Sequence, residues 1–490
     1  MREMKSTPLD RTTGLRLLGI GALVVVVLLL VAARYGYHRD ELYFVAATDQ
    51  LAWGYVDQPP FTIWVAWLAD TIAPGSVVML RVLPALTIGA VVILAGLITR
   101  RLGGGKRAVL LGAGAVAASG VFLAVGHLLS TTTFDILFWT IILYLFVRIL
   151  NGSDPRLWVA LGAVAGFGLL NKHMILLLLF GLGAGLLLTS RRRLLVSKWP
   201  WLGALLALLI WSPNLLWQVE NDWPTIEMLQ SLQDNNSGLG AAVEFVALQL
   251  PFLSIVLVPP AVIGFRRTLR DEQLRAIAVG FSALVLLMLI IGGKGYYIVP
   301  YYAVFLPMGM VEMEERWEAG SARFSPRTVG IVMVAAVVAM SPFFLPVVPE
   351  SAVGLFNAVN PELGETIGWE ELAGQVAGVN DVVGAGTVFT GSYGEAGAID
   401  LFGPERGLPP ASSGHNAYWM WGPPSDDAVP VIVLGYYESW MNRGCTRWEY
   451  VGKITNEAGI DNEEFGLPIA VCHEMRRPWS EVWPELAHYN

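Results

Sequence analysis

Residues 15–69 read LRLLGIGALVVVVLLLVAARYGYHRDELYFVAATDQLAWGYVDQPPFTIWVAWLA. From Leu17 to Ala33 no charge interrupts the apolar run, which is near the length of about 20 residues that a helix needs to cross the hydrocarbon of a bilayer. A basic start and a small-residue end, Val31-Ala32-Ala33, also fit a cleaved signal peptide. That reading is weaker, because the run exceeds the roughly 7–15 residues of an ordinary signal core. Past the anchor the composition changes. Tyr35, Tyr37, Tyr43, Phe44, Trp53, Tyr55, Phe61, Trp64 and Trp67 follow at close spacing, and such rings suit the headgroup level of a membrane. Glu41–Trp53 and Phe61–Ala73 read as two helices lying in the interface. Asp40, Glu41 and Asp57 sit among them.

The rest of the chain extends this pattern. Of 490 residues, 54% are hydrophobic and only 15% charged, where an ordinary soluble domain has about 25% charged. Mean hydropathy is +0.55. A soluble enzyme, a disordered chain and a disulfide scaffold are all excluded. Eleven apolar runs are predicted as spans, centred on 15–33, 79–99, 108–126, 133–150, 157–170, 174–190, 199–217, 243–264, 276–292, 296–311 and 328–348. Residues 1–348 hold 26 Lys and Arg against 20 Asp and Glu, whereas residues 349–490 hold 6 against 20. The expected division is a membrane domain, 1–348, and an acidic extracytoplasmic α/β domain, 349–490. With a cytoplasmic N-terminus, 21 Lys and Arg fall in inside segments and five (Arg34, Arg39, Arg81, Lys172, Lys294) outside. This asymmetry predicts a multi-pass plasma-membrane protein with its tail outside.

In the tail, Thr387–Ser392, Val429–Leu434, Arg447–Ile454 and Pro468–His473 read as strands, and Gly394–Phe402 as a short helix. The two cysteines, Cys445 and Cys472, lie near the last two strands. Outside the membrane they meet an oxidising compartment, so a disulfide is predicted, the alternative being two buried free thiols. No internal repeat of fixed period is visible. No basic and aromatic patch suggests nucleic acid. Gly103-Gly-Gly-Lys106 lacks the spacing of a phosphate loop.

Several polar residues stand where a solvated loop does not need them. Asp40 and Glu41 follow the anchor closely, as a functional pair or as partners of Arg34 or Arg39. Asp57 precedes Gln58-Pro59-Pro60, whose prolines stiffen the backbone and keep Gln58 out of a helix. An acid fixed there can orient a hydroxyl or a cation, or simply start a turn. Asp135, in Thr131-Thr-Thr-Phe-Asp-Ile-Leu137, lies inside a span, where ionisable residues are functional candidates, or complements a helix dipole. Arg81, Lys172 with His173, and Lys294 reach the same membrane face. Together they can bind a phosphate; singly, snorkelling to headgroups accounts for each.

In combination these motifs resemble the GT-C membrane glycosyltransferases of family 39, which include protein O-mannosyltransferases and lipid A aminoarabinose transferases. The resemblance rests on Asp40-Glu41, Gly54-Tyr-Val-Asp57-Gln-Pro-Pro-Phe61, Thr133-Phe-Asp135-Ile-Leu137, Leu169-Leu-Asn-Lys172-His173, Pro213-Asn-Leu-Leu-Trp-Gln218 with Trp223-Pro224, and Gly293-Lys294-Gly-Tyr-Tyr-Ile-Val-Pro300. It implies a GT-C-like helical membrane fold and inverting transfer of a sugar from a polyprenyl-phosphate donor to a glycan, lipid or protein hydroxyl. It further implies Asp40 as general base beside Glu41, Asp135 as a second acid, and Arg81, Lys172 and Lys294 on the donor phosphate. Asp57, Gln58 and Tyr297 are expected to orient substrate or metal. Many relatives have Lys or His before the two prolines; Gln58 supplies no charge, which shifts weight to Lys294 and Arg81. A divalent metal, held in some relatives by the equivalent of Asp57 and a later His, would here need Glu220 or Asp222. The competing reading is a transporter or flippase of a lipid-linked glycan. Such proteins tend to carry inverted repeats and broken helices at mid-membrane, and neither is visible.

Overall fold

The computed structural model describes residues 9–235, 238–357 and 359–489. Arg2 and Lys5, counted above among the inside cations, lie outside the described residues. The chain forms two compact units. The first combines Met1–Val31, Arg81–Glu220 and Gln233–Phe344; the second combines Ala32–Leu80, Asn221–Leu232 and Leu345–Asn490. The compact units thus cut the chain differently from a single division at residue 348.

The first unit is helical. Among the described residues, five helices are long and apolar enough to cross a membrane: Arg11–Val31, Val77–Arg101, Thr131–Leu150, Lys198–Glu220 and Pro326–Phe344. Three further bent pairs could each make one span: Lys106–Ala117 with Gly120–Gly126, Ile175–Leu187 with Ser190–Val196, and Val258–Arg270 with Arg275–Ile291, bent by 60°, 111° and 118°. The apolar runs at 157–170, 243–264 and 296–311 do not form single long helices. Leu157–Leu169 is short. The 243–264 run breaks into Leu239–Ala247, Gln249–Phe252 and Val258–Arg270, with Ser254 and Ile255 at positive φ between the last two. Pro251, Pro259 and Pro260 lie around this break, and proline fits only the first turn of a helix without cost. The last run opens as a 3-10 turn, Gly295–Tyr301, before helix Tyr302–Glu318. Glycines allow close helix approaches: a Cβ on Gly162 would stand 2.0 Å from the Gly203 carbonyl oxygen.

The second unit carries a five-stranded mixed sheet: β1 Thr387–Thr390, β2 Ala411–Ser413, β3 Val431–Leu434, β4 Cys445–Lys453 and β5 Pro468–Met475, in the order β2-β1-β3-β5-β4. β2, β1 and β3 run parallel, with Phe389 opposite Ser412 and Val433; β5 is antiparallel to both β3 and β4. β1 and β3 are buried at every residue, as strands covered on both faces must be. Phe389 packs against Tyr436, Trp440 and Trp479 at 5.1–5.4 Å between ring centres. Cys445 and Cys472 are joined by a disulfide, their Cα atoms 5.9 Å apart.

Helix Tyr393–Phe402 follows β1 and starts on a capping box: Ser392 accepts from the Glu395 N–H, and Glu395 accepts from the Ser392 N–H, satisfying two helix-end donors. The same unit holds the first loop of the chain. Its short helix Arg39–Ala46, continued by a 3-10 turn Ala47–Gln50, ends before Trp53, and helix Phe61–Ile72 follows the two prolines. Tyr35 donates to the Val348 carbonyl at 2.8 Å, and Tyr37 meets Phe402 edge-on. The loop is part of the folded body of the tail.

Candidate active site

Within the second unit, helix Arg39–Ala46 fixes Asp40. His38 caps the helix: its Nδ1 accepts from the Asp40 N–H at 3.1 Å, and Glu41 accepts from the His38 N–H at 2.9 Å. With Nδ1 accepting, Nε2 carries the proton and donates to Glu362 at 3.0 Å. Burial disfavours the charged imidazole, but the Glu362 bond and the charges of Asp40, Glu362 and Glu41 outweigh it and raise the His38 pKa. Glu41 is fully buried and holds the helix start. Asp40, at the next position, keeps 38% of its side chain exposed.

One oxygen of Asp40, Oδ1, accepts from the Tyr393 hydroxyl at 2.8 Å. Among the described residues Oδ2 makes no hydrogen bond. Arg39 donates to the same Tyr393 hydroxyl from Nε (3.3 Å) and Nη2 (3.2 Å), and its guanidinium lies 5.3 Å from the ring centre. Arg39 is held in turn by Glu463 and by Glu365. Burial, followed by the Asp40 charge, pushes the Tyr393 hydroxyl well above its usual range, so it stays a donor.

The ring of Tyr393 lies 4.9 Å from that of Tyr43, and the Tyr43 hydroxyl donates to Asp57 Oδ1 at 2.9 Å. Two neighbouring tyrosines therefore each hold one of the two acids. Burial pushes the Asp57 carboxyl up to about 7; the Tyr43 bond pulls it down, and the Asp40 charge adds to the rise. Gln58, next along, is buried with neither its amide nitrogen nor its oxygen hydrogen-bonded among the described residues.

A second cluster lies in the first unit. Asp135, in the first two turns of helix Thr131–Leu150, is buried and accepts from Trp139 Nε1 at 3.1 Å. Lys172 donates to Thr132 Oγ1 at 2.9 Å and lies 5.2 Å from the ring centre of Tyr296. The charge of Lys172 acts on both Asp135 and Tyr297. Lys172 thus stands beside the first turn of the helix that carries Asp135 and beside Tyr296, the chain neighbour of Tyr297. Arg81 is buried to 1% exposure, whereas Lys294 is exposed at the start of the 3-10 turn. His173 pairs with Asn214 at 3.0 Å.

Glu220 and Asp222 are exposed, and among the described residues there is no group of three or more His, Cys, Asp or Glu side chains that could hold a metal ion. Helix Lys198–Glu220 ends at Glu220 and the chain turns through Asp222 at positive φ.

Sequence reasoning named Arg39 as a partner of the acidic pair, and Tyr43 only as an interfacial ring; it missed His38 and Tyr393. The one local signal for Tyr393 is its place inside Ser392-Tyr-Gly-Glu395, a capping-box pattern that starts a helix with small residues at Gly394 and Gly397.

The family model described as "Dolichyl-phosphate-mannose-protein mannosyltransferase" matches residues 57–217. The chain is 25% identical over 327 residues to the lipopolysaccharide core galacturonosyltransferase RgtB of Rhizobium johnstonii, covering 62% of this chain and 66% of that one. The match spans slightly less than two thirds of that relative's length. In fold the chain is similar to ArnT from Cupriavidus metallidurans bound to undecaprenyl phosphate, with TM-score 0.62 at 16% identity, covering 92% of this chain and 97% of ArnT. It is also similar to the mycobacterial arabinofuranosyltransferase AftD, with TM-score 0.50 at 13% identity, covering 96% of this chain and 40% of AftD. The chain has an ArnT-like fold and is a multi-pass membrane protein, and three of these four likenesses, the family model, RgtB and AftD, are named as glycosyltransferases, in agreement with the resemblance carried by its motifs.

Proposed function

We propose that this chain transfers a sugar from a polyprenyl-phosphate donor to an acceptor hydroxyl at the outer face of the membrane, with inversion at the anomeric carbon. The acceptor oxygen attacks that carbon as its proton passes to Asp40. The bond from the carbon to the phosphate oxygen breaks, and the electron pair leaves with the lipid phosphate. A general base has to reach the hydroxyl it deprotonates. The observation that carries this reading is the state of Asp40: one oxygen anchored, the other not hydrogen-bonded among the described residues, on a carboxylate more than a third exposed.

The remaining roles follow the same reading. Arg81, Lys172 and Lys294 supply the positive charge that a departing phosphate needs. Asp135 acts as a second acid beside Lys172. Asp57, Gln58 and Tyr297 orient the substrate, and the buried amide of Gln58, without a hydrogen bond among the described residues, supports that role. A polyprenyl-phosphate partner is supported by the undecaprenyl phosphate bound in ArnT. The N-terminus is cytoplasmic and the tail extracytoplasmic.

The test is transfer from purified polyprenyl-phosphate sugars in detergent by Asp40→Asn protein. Asparagine keeps the shape and cannot take up the proton. Transfer should fall by about 10²–10⁴-fold with the melting temperature unchanged. Near wild-type turnover in folded protein would remove Asp40 from the mechanism and favour the transporter reading.

A further inference from the structure

We infer that Tyr393, on the tail, is the positioning residue for Asp40, so that the tail domain supplies part of the catalytic geometry. This rests on the reading of Asp40 as base. Asp40 and Tyr393 are 353 residues apart in sequence and joined by a 2.8 Å hydrogen bond. Without it, Asp40 would be held at its backbone and by a loose approach of Arg39 Nε at 4.0 Å. A half-exposed carboxylate with free rotation about its side-chain bonds is a poorly aimed base, and misplacement of about 1 Å can cost about 10²-fold in rate.

The surroundings hold the tyrosine where this bond requires it. Its ring is packed against Tyr43 and lies 4.6 Å from His415, and its backbone N–H donates to His415 Nδ1. Its helix approaches helix Arg39–Ala46 through glycines. A Cβ on Gly397 would lie 2.8 Å from the Leu42 carbonyl carbon, and one on Gly394 would lie 3.0 Å from Arg39 Cβ. Larger residues at these two positions would push the helices apart and lengthen the bond to Asp40. Arg39 completes the arrangement: by donating to the Tyr393 oxygen it polarises the hydroxyl, and a donor so polarised binds a carboxylate more strongly. The bond fixes Oδ1 and leaves Oδ2 for the acceptor hydroxyl.

The test compares wild type, Tyr393→Phe, Asp40→Asn and the double variant in full-length protein, by transfer from a polyprenyl-phosphate sugar. Phenylalanine keeps the ring packing and removes only the hydroxyl. The expected result for Tyr393→Phe is a loss of about tenfold in kcat, the scale of a hydrogen bond to a charged group. Donor KM should stay within about twofold, because a positioning residue acts on the chemical step rather than on binding. In the Asp40→Asn background the same change should alter the residual rate by less than about twofold, since the two residues act as one unit. A chain carrying fluorotyrosine at 393 keeps the fold and alters only the donor strength; kcat should depart from wild type. Wild-type kcat in folded Tyr393→Phe, or in the fluorotyrosine chain, overturns the inference if Asp40→Asn is inactive. An active Asp40→Asn overturns the underlying reading instead.

Discussion

Glu41 accepts the backbone N–H of His38 at 2.9 Å and is itself fully buried, so one member of the acidic pair closes the helix start that presents the other. The pairing separates two roles that adjacent acids in a sequence do not distinguish. Glu41→Gln keeps an acceptor for the His38 N–H and should retain most transfer activity. Glu41→Ala removes the cap, costs about 1 kcal/mol and loosens Asp40, so activity should fall well below that of the glutamine variant. Equal, severe losses in both folded variants would point to a direct chemical role for the Glu41 charge.

Asp135→Asn keeps an oxygen for Trp139 Nε1 and removes the charge that Lys172 faces. Transfer should fall by about 10²-fold with little change in melting temperature. Wild-type turnover would take Asp135 out of the reaction.

Burial pushes the Glu395 carboxyl up to about 7, although the N–H groups of Ser392 and Gly391 pull it down. An unfolded glutamate ionises near the usual carboxylate value. Between that value and about 7 the folded state therefore holds a proton that the unfolded state has lost, and stability falls as pH rises. Buried Glu464 and Glu365 are shifted in the same direction, chiefly by burial. Glu395→Gln keeps the capping acceptor without the cost of ionising. It should match wild type at pH 4.5 and exceed it at pH 8 by about 1–3 kcal/mol. Melting curves at the two pH values decide; an equal difference at both would assign the effect to packing alone.

The Cys445–Cys472 bridge closes a loop with a sequence separation of 27, which in the chain-entropy picture contributes about 3–4 kcal/mol. Alkylation without reductant should label neither cysteine. Replacing both by serine should lower the melting temperature of the tail by about 10 °C. Two labelled cysteines in native protein would show that the bridge does not form.

Protease added to intact spheroplasts should remove the tail, as the 21-to-5 division of Lys and Arg predicts. A tail protected until the membrane is opened would reverse the orientation.

The sequence by itself determined the features that depend on neighbours along the chain. A long uncharged run after Arg16 makes a helix long and apolar enough to cross a membrane, two prolines after Gln58 precede helix Phe61–Ile72, and Ser392-x-x-Glu395 starts helix Tyr393–Phe402. Four of the five strand positions of the tail were legible for the same reason, as with the β-branched runs that become β1 and β3 and are bounded by Gly and Pro; the three-residue β2, Ala411–Ser413, carries no such run and was not read from the sequence. Hydropathy read less well where prolines interrupt an apolar run, because composition averages over a break that backbone geometry enforces at Ser254 and Ile255. Only the tertiary structure decided that β5 lies between β3 and β4, that Glu41 accepts the His38 N–H at the helix start, and that Tyr393 meets Asp40. Those pairings join residues distant in sequence or depend on side-chain direction. They are selected by packing, through Gly394 and Gly397 against helix Arg39–Ala46 and through the neighbouring rings of Tyr43 and Tyr393, and packing leaves no periodic mark on one chain read alone.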